Sequence, residues 1–236
     1  MTEHALHLLH LTGYPIYDQL LLEEALLRTD ERNWCILNEG SPPAIVMGIS
    51  GKKEELIDCQ RVKDDGIPVI KRFSGGGTVI VDENTLFVTL ICQKNACDFP
   101  AYPEPILRWH EGLYREVFPG NAFGLRENDF VLGDKKCGGN AQYIKKERWL
   151  HHTSFLWDYC PEKMSYLLLP KKAPQYRQQR THTDFLCRLA PFFVSKEAFL
   201  DGFKNALKKR FSLQICSIES VLAELEAPDR QATVLC

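Results

Sequence analysis

A chain of 236 residues, 44% hydrophobic and 25% charged, suffices for one sizeable soluble domain with at most a small appendage. A formal charge of −2 supplies no basic field of the kind that marks nucleic-acid binders, and no apolar stretch approaches a membrane span, so neither role is expected. The nine cysteines are scattered without a Cys-x-x-Cys pair, and Met1-Thr2-Glu3-His4 opens no secretory signal; reduced thiols in the cytoplasm are expected.

Leu6 to Leu11 predicts a first strand, closed by the turn Thr12-Gly13-Tyr14-Pro15. Asp18 is placed to cap a helix from Gln19 to about Arg28. Trp34 to Leu37 and Ala44 to Met47, separated by Asn38 to Pro43, read as a hairpin. The polar stretch Gly51 to Asp65 predicts a short helix. Val69-Ile70, Thr78 to Val81 and Leu86 to Ile91 are strand-like. Ile106, Trp109, Leu113 and Val117 recur at helical spacing, and Pro119-Gly120 ends that helix. Phe130 to Leu132 and Trp149 to Trp157 predict further strands. Pro170 to His182 is basic and reads as a surface loop. Ser195 caps a helix lined by Phe199, Phe203, Ala206, Leu207 and Phe211, and Ser220 to Glu226 adds a turn or two. Strands in short succession with few helices predict an α+β fold, not a regular βαβ repeat. The division expected is a catalytic domain over residues 1–194 and a short helical C-terminal extension over 195–236.

Gly75, Gly76 and Gly77 stand between two strand-like runs, where glycine packs nothing and weakens the sheet. A backbone that must approach a ligand closely, its N–H groups aimed at phosphate or carboxylate oxygens, explains such a segment. Lys71, Arg72 and Ser74 add cationic and hydroxyl donors suited to an anion. A glycine-rich hairpin turn is the plainer alternative, and the segment is neither a Gly-x-Gly-x-x-Gly fingerprint nor a P-loop. Further on, Asn128-Asp129 precedes Lys136-Cys137-Gly138-Gly139-Asn140-Ala141, a carboxylate and a lysine that can face one phosphate, although Asp134-Lys135-Lys136 taken alone reads rather as a solvated turn between strands. His151 and His152 are adjacent in a strand and point to opposite faces, so they share no metal; one lines a pocket while the other is buried or solvated. His4, His7 and His10 are interleaved with leucines and fit a strand better than a metal face. Lys171, Lys172, Arg177 and Arg180 read equally as a solvated loop or as a segment that docks an acidic partner domain or closes over a nucleotide.

Taken together these segments resemble the lipoate–protein ligase A branch of the biotin/lipoate protein ligase superfamily. Lys71 to Val79 resembles the family's Arg-Arg-x-Ser-Gly-Gly-Gly segment, Asn128-Asp129 its Asn-Asp pair, Lys136 to Ala141 its lysine motif, and His151-His152-Thr153-Ser154 its His-His-Gly-Thr-like strand. Pro15 to Leu20 and Glu24 to Leu26 are similar too, and the likeness runs from about Leu6 to Asp184. The resemblance implies a mixed sheet flanked by helices, of the kind found in class II aminoacyl-tRNA synthetases, without a full accessory domain. It implies ATP and lipoate as substrates, an acyl-adenylate intermediate, and transfer to a lysine of a lipoyl domain of 2-oxoacid dehydrogenase complexes or of the glycine-cleavage H protein. Lys136 would stabilise charge at the acyl carbonyl and α-phosphate, and Asp129 would hold Mg²⁺ with Asn128 beside it. Arg72 and the Ser74–Gly77 backbone would cover the adenylate, with Thr78, Val79, Gly138, Gly139, Asn140, Ala141 and His152 completing the wall.

Gly48 to Lys53 replaces the Gly-Arg-x-Gln-Asn of many relatives, and Val81 stands where ligases commonly carry histidine, which leaves the acyl chain open between lipoate, octanoate and biotin. Relatives lacking the accessory domain can need a separate accessory subunit to activate the acid. Octanoyltransferases use a cysteine thioester and no ATP; Cys137 and Cys160 near the motifs are read here as ordinary buried thiols. A relative that only binds an acyl ligand or a lipoyl domain is the remaining alternative.

Overall fold

Alternation in the leucine-rich run at the start of the chain serves two cores at once. In β1 (Ala5–Thr12), Leu6 and Leu8 enter one apolar cluster while Leu9 and Leu11 enter another, because successive side chains leave opposite faces of a strand. The computed structural model describes residues 4–118, 120, 122–169 and 173–236. After β1 come α1 (Ile16–Thr29), β2 (Trp34–Glu39), β3 (Ala44–Met47), α2 (Lys53–Leu56), α3 (Cys59–Asp64), β4 (Val69–Lys71), β5 (Val79–Val81) and β6 (Thr85–Gln93). Then follow α4 (Pro103–Arg115), β7 (Phe123–Arg126), β8 (Asp129–Leu132), β9 (Lys135–Ile144) and β10 (Arg148–Leu156). The last elements are α5 (His182–Phe185), α6 (Lys196–Lys208), β11 (Ser212–Cys216), α7 (Ile218–Glu224) and β12 (Val234–Leu235).

The strands form two sheets. The larger has eight strands in the order β11-β1-β2-β6-β10-β9-β8-β7, with β1 parallel to β11 and β2 and the remaining pairs antiparallel. The smaller has four, ordered β12-β4-β3-β5, with β3 and β4 parallel. Helices α4 and α6 cover one face of the large sheet, where Tyr114 packs among Phe123, Phe130, Phe155 and Phe203. Helix α1 covers part of the other face through Leu22, Leu26 and Leu27. Further along that side, Ile16 and Leu20 of α1 join Val46 and Val81 of the small sheet and Phe87 of β6.

Several local expectations are corrected. Trp34 to Leu37 and Ala44 to Met47 form no hairpin: β2 is enclosed between β1 and β6, whereas β3 belongs to the small sheet. The link between them turns at Gly40 (φ +87°), where a Cβ would lie 2.7 Å from the Glu83 carbonyl oxygen. Helix α1 begins at Ile16, not Gln19, so Asp18 lies inside its first turn; the Ile16 N–H is met instead by Ser41 Oγ at 2.9 Å. The single helix expected after Gly51 is two, α2 and α3. Ser195 does cap its helix, accepting from the Ala198 N–H at 3.1 Å. Helix α4 ends at Arg115, and the Pro119 expected to stop it lies outside the described residues.

Residues 195–236, expected as a helical extension, also contribute a strand to each sheet: β11 joins β1, and β12 joins β4. Glu24, fully buried in α1, holds the approach to β12 by accepting the N–H groups of Ala232 (2.8 Å) and Thr233 (2.9 Å). No helix among the described residues is long and apolar enough to cross a membrane.

Candidate active site

The glycine segment leaves β4 and is stitched to both sheets. Its Arg72 N–H donates to the Met47 carbonyl at 2.9 Å, the Ile49 N–H donates to the Ser74 carbonyl at 3.1 Å, and the Gly75 N–H reaches the Gln142 carbonyl on β9 at 3.3 Å. Arg72 is buried and turns its guanidinium into the loop, where Nη2 donates to the carbonyls of Gly75 (3.2 Å) and Gly77 (2.9 Å). Burial pushes this guanidinium down to about 10, eased by the nearby Glu23, so it remains a cation at neutral pH. Gly76 must be glycine: at φ +124° its Cβ would stand 2.5 Å from Arg72 Nη2 and 2.8 Å from the Asn140 carbonyl oxygen. Gly48 faces it from the end of β3, and a Cβ there would meet the Gly76 oxygen at 2.3 Å.

Lys136 and Asp129 are brought together by an irregularity in the β8–β9 pairing. Phe130 pairs with Gly138 but Val131 pairs with Lys136, so Cys137 is an extra residue, a β-bulge. In an unbroken strand Lys136 would share a face with Gly138, whose side-chain direction runs into Phe155 and Phe130 of the core. The bulge reverses that parity. Lys136 instead shares a face with Gly139, where an added Cβ would lie 3.5 Å from Lys136 Nζ, and the buried Cys137 takes the core side. Lys136 Nζ reaches Asp129 Oδ1 at 2.7 Å, and the Tyr176 hydroxyl donates to the other oxygen at 2.9 Å. Burial first, and Asp129 second, raise the Tyr176 phenol above its usual range, so it stays a donor.

These pieces line one cavity of about 940 Å³. Arg72, Gly76, Gly77, Thr78, Val79, Asn128, Asp129, Lys136, Gly139, Asn140, Ala141 and His152 all stand on its wall. Ser74, Gly75 and Gly138 do not: Ser74 is buried under the loop, and Gly138 is pressed against Phe155. Beside Val81, already noted for its bearing on the acyl chain, the apolar part of the wall holds Ile16, Leu20, Val46 and Phe87, which the sequence reading missed. The helical spacing of Ile16 and Leu20 was a signal for a shared face, but it could not say that the face lines a cavity.

His152 projects into the cavity while its neighbour His151 is buried against His110 on the far side of the sheet, ring centroids 3.8 Å apart. His152 Nδ1 lies 3.0 Å from the fully buried Glu23 and 2.9 Å from Thr89 Oγ1, and Nε2 lies 3.2 Å from Ser154 Oγ. Thr89 donates to Glu23 at 2.7 Å, and the chain of bonds continues through Gln19 to Asn38. A buried carboxylate is tolerated here because three polar groups, Gln19, Thr89 and His152, answer it. Sequence spacing gave no sign that Glu23 would face His152 across two elements.

The segment Ala173 to Leu186 roofs the cavity. Pro174, Arg177, His182, Phe185 and Leu186 face it, Leu186 bridges to Lys136, and the Cys187 N–H donates to the Lys136 carbonyl at 2.8 Å. Arg177 is buried, and Arg180 pairs with Asp134 at 3.0 Å; neither is free on a docking surface, and the Lys171 and Lys172 of that expectation lie outside the described residues. His182 is pushed down by burial, then by Arg177 and Lys136, which keeps it a neutral member of the roof at pH 7. Cys137 is raised well above the thiol range chiefly by burial, and no cysteine lines the cavity among the described residues. Cys160 is half-buried, its thiol donating to Glu162 Oε2 at 2.8 Å. No group of three or more His, Cys, Asp or Glu side chains converges as a metal cage among the described residues.

A two-sheet α+β domain with a glycine loop, a lysine–carboxylate pair and an apolar chamber around one cleft has the architecture of a small-molecule-binding site. The lipoyl protein ligase A/B catalytic domain matches residues 15–212, and the chain belongs to that family. It is similar to the inactive lipoate–protein ligase 2 of Plasmodium falciparum, 29% identical over 77% of this chain and 62% of that protein. Lipoate–protein ligase A of Blochmanniella floridana is 32% identical over 70% of this chain and 49% of its own length. The chain thus spans about half to three-fifths of these relatives. In fold it matches a crystal structure of lipoate–protein ligase A bound with ATP, with a TM-score of 0.72 at 18% identity and 94% of each chain covered. It also matches the bi-partite lipoate–protein ligase of Thermoplasma acidophilum, with a TM-score of 0.74 at 19% identity over 95% of this chain and 92% of that one. The expected biotin/lipoate ligase-like fold is the fold of this protein.

Proposed function

We propose that this chain is the catalytic unit of a lipoate–protein ligase, activating lipoate or octanoate with ATP and passing the acyl group to a lysine of a lipoyl domain. The observation that carries the reading is the Lys136–Asp129 pair beneath the Gly76–Thr78 backbone, on the wall of a cleft that also holds the apolar chamber of Ile16, Leu20, Val46, Val81 and Phe87. About 940 Å³ lies at the upper end of small-molecule sites and is enough for a C8 acyl chain joined to a nucleotide. The chamber takes the chain by burying its methylenes, each stabilising by about 0.8 kcal/mol.

In the first half-reaction a carboxylate oxygen of the acid attacks the α-phosphorus and pyrophosphate departs. Negative charge grows on the phosphoryl oxygens, and the Lys136 ammonium, already oriented by Asp129, faces that charge without reorganising. In the second, the acceptor amine attacks the acyl carbon, AMP leaves, and the same ammonium meets the charge on the carbonyl oxygen. Lys136 acts as a cation throughout and forms no covalent bond. Mg²⁺ would be held by Asp129 together with phosphate oxygens and waters, once Lys136 or Tyr176, which now occupy the two carboxylate oxygens, turns to the ligand. Its contribution would be neutralisation of phosphate charge.

The archaeal bi-partite ligase is described together with its E2 lipoyl domain, and a lipoyl domain is the acceptor proposed here. One relative is named inactive, so the half-reactions are assayed separately. Acid-dependent ATP–pyrophosphate exchange is expected with lipoate or octanoate; no exchange with any acid overturns stand-alone activation. Transfer from synthetic lipoyl-AMP to a lipoyl domain then reports the second half alone. Transfer from octanoyl carrier protein without ATP would instead make the chain an acyltransferase, against a cleft in which no described cysteine stands.

A further inference from the structure

The face of the large sheet turned away from the cleft carries a hydrogen-bond network that ends at the candidate site. Glu127 and Asn128 form the two-residue turn between β7 and β8, where Arg126 pairs with Asp129. The Asn128 carbonyl accepts from Asn140 Nδ2 at 3.0 Å, and Asn140 Oδ1 lies 3.0 Å from Thr153 Oγ1, its cross-strand partner on β10. Thr153 Oγ1 also lies 3.1 Å from the Tyr114 hydroxyl of α4 and 3.1 Å from His151 Nε2. On the other side of that ring, His151 Nδ1 lies 3.0 Å from Gln142 Nε2, which donates as well to the Pro103 carbonyl at 3.2 Å. Tyr114, His151 and Thr153 are fully buried.

One acceptor fixes every proton in this network. A carbonyl can only accept, so Asn140 turns its NH₂ to Asn128 and its oxygen to Thr153. The single hydroxyl proton of Thr153 then goes to Asn140, and its lone pairs accept from both Tyr114 and His151. His151 therefore carries its proton on Nε2 and leaves Nδ1 bare for the Gln142 amide. The stacked His110 has the opposite tautomer, because its Nδ1 donates to the Ile106 carbonyl at 2.7 Å. The Asn140–Asn128 bond is open to solvent and alone would hold the turn weakly, since water competes for both groups. An amide gripped from below by a buried hydroxyl cannot swing away to meet that water, so it meets the turn already oriented.

We infer that Asn140 and Thr153 are positioning residues: through the Asn128 carbonyl they fix the turn from which Asp129 meets Lys136. The part Asp129 plays in the chemistry rests on the ligase reading, whereas the network does not.

Three measurements on the whole protein test it. Nitrogen-15 spectra of the wild type should show neutral His151 protonated at Nε2 and neutral His110 protonated at Nδ1. A His151 proton on Nδ1 would break the network at Thr153 and overturn the inference. Hydrogen exchange over residues 126–129 is then compared in Thr153→Val, which keeps the shape and removes the hydroxyl, and in Thr153→Ser, which keeps the hydroxyl. Exchange there should rise about three- to tenfold in Thr153→Val and return close to wild type in Thr153→Ser. Unchanged exchange in Thr153→Val overturns the inference, and so does equal acceleration across the whole large sheet, the mark of a merely structural contact. Should Thr153→Val fail to fold, Asn140→Ala cuts the network at its solvent end and is read in its place. The third measurement is ATP–pyrophosphate exchange, or transfer from lipoyl-AMP where the wild type performs only that step. Thr153→Val should lower kcat about three- to tenfold with the KM for the acyl substrate unchanged, and Thr153→Ser should restore it. An unchanged kcat beside a loosened turn overturns the positioning role. A wild type with the expected tautomers and a Thr153-dependent turn, but neither half-reaction, supports the hold on Asp129 and overturns the ligase reading.

Discussion

Lys136 Nζ lies 2.7 Å from Asp129 Oδ1 only because Cys137 is an extra residue in β9. Without the bulge the lysine would point at Phe155 and the core. Lys136→Ala is expected to lower the rate of acyl transfer from lipoyl-AMP at least about a hundredfold, with binding of the acid little changed, because the lost interaction is with charge that develops in the transition state. Single-turnover transfer checks this; a retained rate would remove Lys136 from the chemistry.

The glycine loop makes a second expectation. Gly76→Ala would force a Cβ to 2.5 Å from Arg72 Nη2 at a φ of +124°, and Gly48→Ala would drive one to 2.3 Å from the Gly76 oxygen. Arg72 Nη2 is held by the Gly75 and Gly77 carbonyls and the Gly76 oxygen belongs to the same loop, so neither neighbour can yield without reshaping the loop. Each substitution should cost on the order of 2–4 kcal/mol in stability, read by urea melts, and should abolish adenylate binding even where the fold survives. Gly77→Ala, whose Cβ would meet nothing within 4 Å, is the matched control and should be mild.

Stability should depend on pH through the buried histidines. His110 is pushed down to about 3, chiefly by burial and against its bond to the Ile106 carbonyl, and His151 is lowered well below its usual value by burial, His110 and His152. Both are neutral when folded, whereas the unfolded chain takes up their protons below about pH 6.5. The stabilisation is complete above that pH and is lost as pH falls toward the folded values, by roughly 1.4 kcal/mol per unit per histidine at the steepest. Denaturant melts at pH 7.5, 6.5 and 5.5 should show this loss, and His110→Asn should flatten the slope; an unchanged slope would mean that His110 is not buried neutral.

Glu24 ties α1 to the segment before β12, accepting from Ala232, Thr233 and Arg28. Glu24→Ala strands one buried and one half-buried N–H group and should cost about 2–4 kcal/mol. Hydrogen exchange should rise locally at residues 69–71, which pair with β12, before the rest of the small sheet. Uniform acceleration across the chain would mean that the contact is simply global.

Much of the site was legible as chemistry. Gly76 and Gly77 were singled out by residue type and spacing, and Asp129, Lys136 and His152 by the family resemblance of their segments; all stand on the cleft wall. The partition of the histidine pair followed from strand periodicity alone, which sends adjacent side chains to opposite faces. The apparent hairpin of β2 and β3 was not legible, because local turn signals say nothing about which of two sheets a strand joins. For Arg177 the sequence left a solvated loop and a docking or closing segment equally open, and only the structure places it, buried, on the cleft wall.

The sequence by itself determined which groups this protein brings to its chemistry: a glycine run with no side chains to obstruct a ligand, a lysine, a carboxylate and a histidine strand. Those are properties of residue type and short-range order, and they hold before any contact forms. Only the tertiary structure decided how they face each other. The bulge at Cys137 that turns Lys136 out of the core, the Glu23 carboxylate beneath His152 and the burial of Arg177 in the roof all depend on packing between segments distant in the chain. Close approach of that kind is set by the summed burial of two cores, which no local pattern records.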